Sequence, residues 1–422
     1  MFAWAVLGAF AAMADGPDAY AVTGARILVG NGEVIESGVL VVDDGLVVGV
    51  GERVAVPEGA WVIDAAGKTV YPGFIDALSN LGLGGKPPAE GAAPRREQAI
   101  ARGPEDRPGT YSFKAAADDL SLADERVAKW RNAGFTSAVS VPDEGIFSGQ
   151  ATFINLAGER EREMVVRTPV GLRVNLKPPG SGRSFPGSLM GVVAYVKQAF
   201  ADAAYYRESW AAYESAPLGK PRPTYDRTLE PLARAQSDGW PVLLPAQEPH
   251  EIQRALGLAG ELGVKPVLYG IHGGYAAAEA LSAAKVPVLV SLKWPARDKD
   301  ADPDAEEPLR VLELRERAPQ TPAVLEKAGV RFGLYTDGVE KPEEATANLR
   351  KAVAAGLSRE RAVRALTLDA ASIFGLADRL GSLEPGKIAN FFVASGDVFD
   401  EGTKIETVFV DGKKFEVRGG GE

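Results

Sequence analysis

Tyr71-Pro-Gly-Phe-Ile-Asp-Ala-Leu-Ser-Asn80 is the stretch of sequence on which the prediction of the fold depends. A Pro-Gly pair typical of a turn precedes a short apolar run, so we predict a buried β-strand over residues 73–77. The pattern of the chain changes at this point. Short β-strands and turns come before the stretch, and alternating strands and helices come after it.

The middle of the chain alternates strands with helices. Strands are predicted over residues 73–77, 136–141, 171–176, 241–244, 266–269, 286–290 and 331–335. Helical patterns separate several of them, over residues 188–213, 249–262, 343–355 and 359–366. Such alternation implies an α/β fold with a parallel sheet, and about 310 residues of it are typical of a TIM-like (β/α)8 barrel with insertions. A doubly wound open sheet is the competing architecture, but no glycine-rich dinucleotide fingerprint supports it.

The two ends of the chain share a different pattern, that of β-hairpins. Asp43-Asp-Gly45 and Asp411-Gly412 each lie between two β-rich runs, and such a placement strongly indicates a hairpin. We therefore predict one small β-sandwich built from residues 20–70 and 383–422. The barrel, residues 71–382, is inserted between its two parts, an arrangement that is easy to reach because chain termini commonly lie near each other.

Composition excludes several kinds of function. The chain has 422 residues, a net charge of −10 and no cysteine. Without cysteine it has no disulfide, no thiolate metal site and no cysteine nucleophile. No run rich in lysine and arginine is present, so we predict no nucleic-acid partner.

Residues 1–14 form an apolar run that is too short to span a bilayer as an ordinary helix. Ala12-Met-Ala14 fits the small-x-small pattern of a signal-peptidase site, although no basic segment precedes the run. We predict a signal peptide and short arm over residues 1–19, export to the periplasm or cell surface, and a mature protein without a membrane span. The alternative is an apolar arm packed on the core.

Further stretches follow one another in a characteristic order and spacing. They are Gly24-Ala-Arg-Ile-Leu28, Asp64-Ala-Ala-Gly-Lys-Thr-Val-Tyr-Pro-Gly-Phe-Ile-Asp76, Gly134-Phe-Thr-Ser-Ala-Val139, Ile146-Phe-Ser-Gly-Gln150, Leu366-Thr-Leu-Asp-Ala-Ala-Ser-Ile-Phe-Gly-Leu376 and Arg379-Leu-Gly-Ser-Leu-Glu-Pro-Gly-Lys387. Together they resemble the amidohydrolase superfamily, in particular its secreted, imidazolonepropionase-like branch. The resemblance covers nearly the whole chain and implies the barrel and sandwich described above.

The resemblance also implies a chemistry, in which one or two divalent metals at the strand ends activate water to hydrolyse C–N bonds of amides and cyclic amides. The paired histidines of the first barrel strand correspond to Leu78 and Asn80, and the histidine that ends the fifth strand corresponds to Pro245. Leucine and proline offer no side-chain ligand, and an amide oxygen is a poor substitute for imidazole on a transition metal. We therefore predict no bound metal, although a divalent metal is the superfamily norm.

Four other residues are candidates for the site. Asp337 corresponds to the aspartate of the eighth strand, and its alternative role is that of an Asp-Gly turn residue. His272 lies near the sixth-strand ligand, or is simply a histidine in a strand-to-helix turn. Lys177 stands at the place of the bridging lysine. Arg183, in a glycine-rich loop, is a candidate for binding a carboxylate or phosphate, or belongs to a flexible connection. We take Asp337 and His272 as candidate catalytic residues, and Lys177 and Arg183 as candidate ligand-binding residues.

Two functional hypotheses follow from these residues. One is an exported amidohydrolase-like hydrolase that acts on non-peptide C–N bonds through a non-standard site. The other is a non-catalytic protein of the cell envelope that binds a small molecule or serves as a scaffold. The missing ligands favour the second hypothesis, because a fold does not by itself confer an activity.

Overall fold

The computed structural model of the chain describes residues 19–84, 102–179, 184–298, 300–302 and 304–417. Residues 1–18, and with them nearly all of the predicted signal peptide, lie outside the described residues. Arg183 lies outside them as well. Within the described ranges, no helix is both long and apolar enough to cross a lipid bilayer.

Sixteen strands make up the two sheets of the described residues. They are β1 (Ala19–Leu28), β2 (Val34–Asp43), β3 (Leu46–Gly51), β4 (Trp61–Asp64), β5 (Thr69–Pro72), β6 (Phe74–Ser79), β7 (Phe135–Ser140), β8 (Phe147–Asn155), β9 (Val165–Val174), β10 (Pro241–Ala246), β11 (Lys265–Gly270), β12 (Val288–Ser291), β13 (Phe332–Tyr335), β14 (Phe391–Ala394), β15 (Ile405–Val410) and β16 (Lys413–Glu416).

Eleven α-helices of the described residues lie between or after these strands. They are α1 (Glu125–Asn132), α2 (Glu161–Met164), α3 (Leu189–Ser215), α4 (Leu229–Ser237), α5 (Pro249–Leu262), α6 (Ala278–Ala284), α7 (Leu309–Arg317), α8 (Thr321–Lys327), α9 (Pro342–Ala354), α10 (Arg359–Ala365) and α11 (Leu368–Ile373). Short 3-10 helices occur at Pro104–Asp106, Ala116–Asp118, His272–Ala276 and Ala318–Gln320.

The larger sheet is a nearly closed barrel of eight strands in the order β6-β7-β8-β9-β10-β11-β12-β13. Contacts across the seam join its first and last strands. The backbone N–H of Thr336 donates to the Asp76 carboxylate at 2.9 Å, and that of Asp337 donates to the Leu78 carbonyl at 3.2 Å. This architecture confirms the predicted TIM-like barrel.

One barrel strand runs against the others. β8 pairs antiparallel with both β7 and β9, whereas the strands from β9 to β13 are parallel to their neighbours. The sequence analysis placed no strand at β8. A short connection can join antiparallel strands, whereas parallel strands need a long crossover, so the short links on either side of β8 are compatible only with a reversal of direction.

Apolar side chains fill the inside of the barrel in alternation with those that face the helices. Ile75, Val139, Leu243, Val267 and Leu289 belong to the inner cluster. Their sequence neighbours on the same strands belong to the outer cluster, which packs under the helices. The barrel interior is therefore a packed core and not a pore, as this fold requires.

The smaller sheet combines strands from both ends of the chain. Its order is β16-β15-β14-β5-β1-β2-β3, with β4 also paired to β1. The N-terminal and C-terminal parts meet where β5 pairs antiparallel with β14. This agrees with the prediction that the two ends build one β-domain beside the barrel.

Helix α5 shows how the local sequence fixes one wall of the barrel mouth. Pro249 occupies its first turn, where the missing N–H costs nothing. Glu248 and Glu251 form a reciprocal capping box, and Gly263 ends the helix with a φ of 62°, a left-handed conformation that glycine adopts without strain. The sequence thus predicts both ends of this helix, and the structure confirms the predicted bounds.

Candidate functional site

A cavity of about 970 Å³ opens at the carboxyl ends of the parallel strands. Strands β9 to β13 and the residues just after them contribute its inner wall, and α3 and α5 contribute its outer wall. This placement follows from the fold, because the carboxyl ends of parallel barrel strands share one face and catalytic or binding residues lie there. Among the described residues, five basic and three acidic side chains line the cavity.

Arg173 on β9 is the buried cation of this cavity, with 7% of its surface exposed. Its Nη2 donates to Asp337 Oδ2 at 3.1 Å, and its guanidinium lies 5.1 Å from the centre of the Tyr269 ring. Burial by itself would lower the pKa of Arg173, but Tyr269 and Asp337 outweigh it, so the pKa is raised. Arg173 therefore stays protonated within its ion pair with Asp337.

Asp76 lies within the barrel at the seam, fully buried. It accepts the backbone N–H groups of Thr336 and Leu78 and shares a short hydrogen bond with the Thr336 hydroxyl. Burial raises the pKa of Asp76 to about 7, although these hydrogen bonds act in the opposite direction. Asp76 does not line the cavity, so its arrangement is that of a structural group at the seam.

His272 follows β11 and is buried. Its Nδ1 lies 3.1 Å from the side-chain nitrogen of Gln247, and its ring lies 5.9 Å from that of Trp294. Burial lowers the pKa of His272 to about 4, so the ring is neutral near neutral pH. Because an amide nitrogen donates, Nδ1 accepts and the ring proton resides on Nε2, which has no partner among the described residues.

Leu78, within β6, and Asn80, directly after it, contact other parts of the protein. The Leu78 side chain is fully buried in the core inside the barrel. The Asn80 side-chain oxygen accepts from Arg126 at 2.6 Å, and Arg126 also contacts the Asn80 carbonyl at 3.0 Å and Asp124 at 2.7 Å. Asn80 thus belongs to a hydrogen-bonded network at the start of α1.

The remaining candidates differ in position. Pro245 lines the cavity near the end of β10 and presents a ring without a donor or acceptor. Asp337 lies on the same cavity, as does Lys177, which is exposed in the loop after β9. The structure therefore brings together Asp337, His272 and Lys177 around one cavity. Arg183 belongs to the part of the chain that is not described.

Sequence reasoning missed Arg173, although a signal was present. Val170-Gly-Leu-Arg-Val174 places one charged residue in an otherwise apolar run that was predicted to be a strand. A charged residue in such a run is rarely buried unless it is paired, so it deserved a place among the candidates. Within the described residues, no group of three or more histidine, aspartate or glutamate side chains is arranged to hold a metal ion.

Comparison with known proteins finds similarity to amidohydrolases. Residues 277–419 match the model of the Amidohydrolase family. The chain is 28% identical to an imidazolonepropionase of Deinococcus radiodurans over 88% of this chain and 89% of that protein. An imidazolonepropionase of Acidiphilium cryptum is 26% identical over 87% and 89%. The crystal structure of an amidohydrolase from Thermotoga maritima MSB8 has 27% identity and a TM-score of 0.78, covering 94% of this chain and 100% of that one.

Proposed function

Because this chain belongs to the amidohydrolase superfamily, in its imidazolonepropionase-like branch, we propose that it binds a small molecule in its barrel mouth without a catalytic metal. The observation that carries the proposal is the Arg173–Asp337 ion pair at the carboxyl ends of the strands. The cavity of about 970 Å³ beside this pair is of a size found in small-molecule sites.

The residues at the superfamily's ligand positions do not fit a divalent metal. A catalytic zinc site takes three protein ligands from histidine, aspartate, glutamate or cysteine, and leaves one position for water. Leu78 and Pro245 carry no donor atom in their side chains, and the Asn80 oxygen is already bound to Arg126. We therefore derive no reaction step through a metal.

The Arg173–Asp337 ion pair also disfavours a bound metal electrostatically. A divalent ion beside Asp337 would lie close to the guanidinium of Arg173, whose Nη2 is 3.1 Å from the carboxylate. Like charges about 4 Å apart repel by about 4 kcal/mol per unit charge at the effective dielectric constant typical of protein sites. Arg173 thus supplies to Asp337 the positive charge that a metal supplies in the superfamily, and it competes with any metal for the same carboxylate.

A binding role is supported over hydrolysis because the groups that would activate water are engaged. Asp337 accepts from Arg173 and Nδ1 of His272 accepts from Gln247. Without an activated water or a nucleophile, attack on an amide carbon has no source of sufficient reactivity.

Metal analysis of the purified protein, joined to an assay of ammonia or amine release across amides and lactams, tests this proposal. We expect less than stoichiometric zinc, manganese, nickel and cobalt, and no turnover. Stoichiometric metal that disappears in the Asp337→Ala variant would contradict the proposal, as would turnover that the same variant abolishes.

A second candidate function is metal-independent hydrolysis of a C–N bond, favoured by the convergence of Asp337 and His272 on one cavity. In that case Asp337→Asn and His272→Gln should each abolish turnover of an amide or lactam, while an exposed variant such as Lys129→Met retains it. Equal residual activity in all three would point to a contaminating enzyme.

A further inference from the structure

The turn between β1 and β2 contains Asn31-Gly32, a pair in which glycine follows asparagine. Asn31 is the only asparagine of the sequence that precedes a glycine. Such a pair can lose ammonia without an enzyme. The backbone nitrogen of the glycine attacks Cγ of the asparagine side chain, and the missing Cβ of glycine leaves the approach open. In a folded protein the reaction depends on the surroundings of both groups.

The attacking group, the backbone nitrogen of Gly32, is accessible and unengaged. Asn31 and Gly32 are both exposed. The Gly32 N–H has no hydrogen-bond partner among the described residues, so no bond has to break before it reacts. A Cβ atom placed on Gly32 would meet one atom of the described residues within 4 Å, a side-chain oxygen of Glu360 at 3.4 Å. The space around this nitrogen is therefore open.

The hydrogen bonds of the Asn31 side chain favour attack at its Cγ. Its Oδ1 accepts the Glu33 backbone N–H at 2.9 Å, a bond that withdraws electron density from Cγ. Its Nδ2 donates to a carboxylate oxygen of Glu384 at 3.4 Å, which is long for a hydrogen bond. The amide is thus polarised at its oxygen and weakly held at its nitrogen, the atom that leaves as ammonia.

We propose that Asn31 is a site of spontaneous deamidation in the folded protein. The Gly32 nitrogen gives up its proton and forms a bond to Asn31 Cγ. The bond from Cγ to Nδ2 breaks, and the proton ends on the ammonia that is released. Water then opens the resulting succinimide ring at either carbonyl. The products are aspartate and isoaspartate at position 31, and the net reaction consumes one water and releases one ammonia.

The carboxylate formed at position 31 weakens a contact between two segments of the small sheet. Glu384 lies 3.4 Å from Asn31 Nδ2, and the Leu383 N–H beside it donates to the Val29 carbonyl at 2.8 Å. The turn between β1 and β2 is therefore joined here to the segment that leads to β14. Deamidation replaces the hydrogen bond from Asn31 to Glu384 with repulsion between two carboxylates.

Incubation of the purified full-length protein in water labelled with heavy oxygen tests the proposal. Digestion with pepsin at acid pH, where the reaction is slow, and mass spectrometry then locate the label. We expect label at position 31 that increases with time, and faster at mildly alkaline than at neutral pH, because base removes the Gly32 proton. Asn132 should stay unlabelled. It is exposed as well, but the N–H of the following Ala133 donates to the Trp130 carbonyl at 3.0 Å.

Two variants assign the reaction and its consequence. Asn31→Ser removes the amide but keeps an oxygen for the Glu33 N–H, and it should acquire no label at this position. Asn31→Asp is the aspartate product. We expect its Tm to lie about 1–2 °C below that of the wild type at low ionic strength, and the difference to shrink in high salt because exposed charges are screened. Electron-transfer fragmentation of the labelled peptide distinguishes aspartate from isoaspartate.

Three outcomes would overturn the proposal. Label at Asn31 after unfolding in urea, but none in the folded protein, would mean that the fold protects the pair. Equal labelling of Asn132 would show that the surroundings of Asn31 are not the cause. A Tm of Asn31→Asp equal to that of the wild type would contradict the weakened contact with Glu384. None of these measurements involves a ligand in the barrel mouth, so the proposal can fail independently of the proposed binding function.

Discussion

Arg173 and Asp337 illustrate how a buried charge depends on its partner. Arg173 is almost fully buried, whereas the Asp337 side chain retains 25% exposure at the cavity. Removing one partner of such a pair costs far more than replacing both, because the remaining charge stays buried and unpaired.

We expect Asp337→Asn to destabilise the protein by about 1–3 kcal/mol, less than the roughly 3–5 kcal/mol for a fully buried pair, because water reaches the carboxylate. The double variant Arg173→Met with Asp337→Asn should recover most of this loss. Urea unfolding followed by circular dichroism gives the free energies of unfolding and the coupling between the two sites.

The exposed pair of Arg26 and Glu36 is the matched control for that cycle. Glu36→Gln should change the free energy of unfolding by less than about 0.5 kcal/mol, since exposed ion pairs contribute little. If Asp337→Asn costs no more than Glu36→Gln, the barrel mouth is more hydrated than its burial implies, and the argument from a buried cation fails.

Asp76 should make the stability of the protein depend on pH in a defined direction. Its pKa rises from 3.8 to about 7 on folding, so the folded state holds its proton more tightly than the unfolded chain does. The contribution of protonated Asp76 to the free energy of unfolding is therefore fully present below about pH 4. It is lost as the pH rises through about 7.

The variant Asp76→Asn resembles the protonated acid and should lose this dependence. The difference in free energy of unfolding, variant minus wild type, should increase by about 1–3 kcal/mol from pH 5 to pH 8. Comparing the two proteins at each pH cancels the titration of all other groups. A constant difference across the range, measured by urea midpoints, would mean that Asp76 is ionised throughout.

At the scale of single elements, the glycine that precedes β6 fixes the entry into the barrel. A Cβ atom at Gly73 would lie 2.0 Å from the Thr136 hydroxyl on β7. We expect Gly73→Ala to push the first two barrel strands apart and to lower the free energy of unfolding by about 1–3 kcal/mol. Urea unfolding of the purified variant measures the loss.

Gly260 in α5 provides the contrast, because a Cβ there meets nothing within 4 Å. Gly260→Ala should be neutral or stabilise the protein by up to about 1 kcal/mol, since alanine is the better helix former. Similar destabilisation in both variants would show that the contact between β6 and β7 is not the cause.

The elements also show which parts of the fold a sequence can predict. The bounds of α5 follow from local signals, because proline, the capping box and glycine act within a few residues of one another. β8 was missed because its direction depends on pairing with β7 and β9, which only the tertiary structure reveals. Arg173 was missed for a similar reason, since its partner Asp337 lies 164 positions away in the chain.

At the scale of the whole molecule, the sequence predicted that both chain ends build one β-domain beside the barrel. The hairpin signals at each end are local, and their pairing was inferred from the insertion of a different pattern between them. The contacts that the site residues make were harder to predict from the sequence. The absence of metal-binding side chains at positions 78 and 245 is visible in the sequence. The hydrogen bonds of Asn80 to Arg126 and the Arg173–Asp337 pair at the barrel mouth depend on contacts between distant parts of the chain.

The two sheets share a hydrophobic core, and this predicts that they unfold together. The ring of Phe392 on β14 stacks on that of Tyr71, with 5.3 Å between the ring centres. It also contacts the edge or face of the Phe74 ring of the barrel, with 4.9 Å between the centres. The Asn390 side chain donates to Ser137 and Asn155 of the barrel at 3.0 and 2.9 Å. Elements joined by buried apolar and hydrogen-bonded contacts of this kind open as one cooperative unit.

We therefore expect one unfolding transition in urea, with coincident changes in far-ultraviolet circular dichroism and tryptophan fluorescence. Phe392→Ala should lower the free energy of unfolding by about 3–5 kcal/mol. Hydrogen-exchange mass spectrometry should then show equal loss of protection in the small sheet and in the barrel strands, because the shared core couples them. Leu218→Ala, at a side chain that is 96% exposed, should change neither. Protection retained in β1 to β3 after the barrel has opened would instead identify two independently folding units.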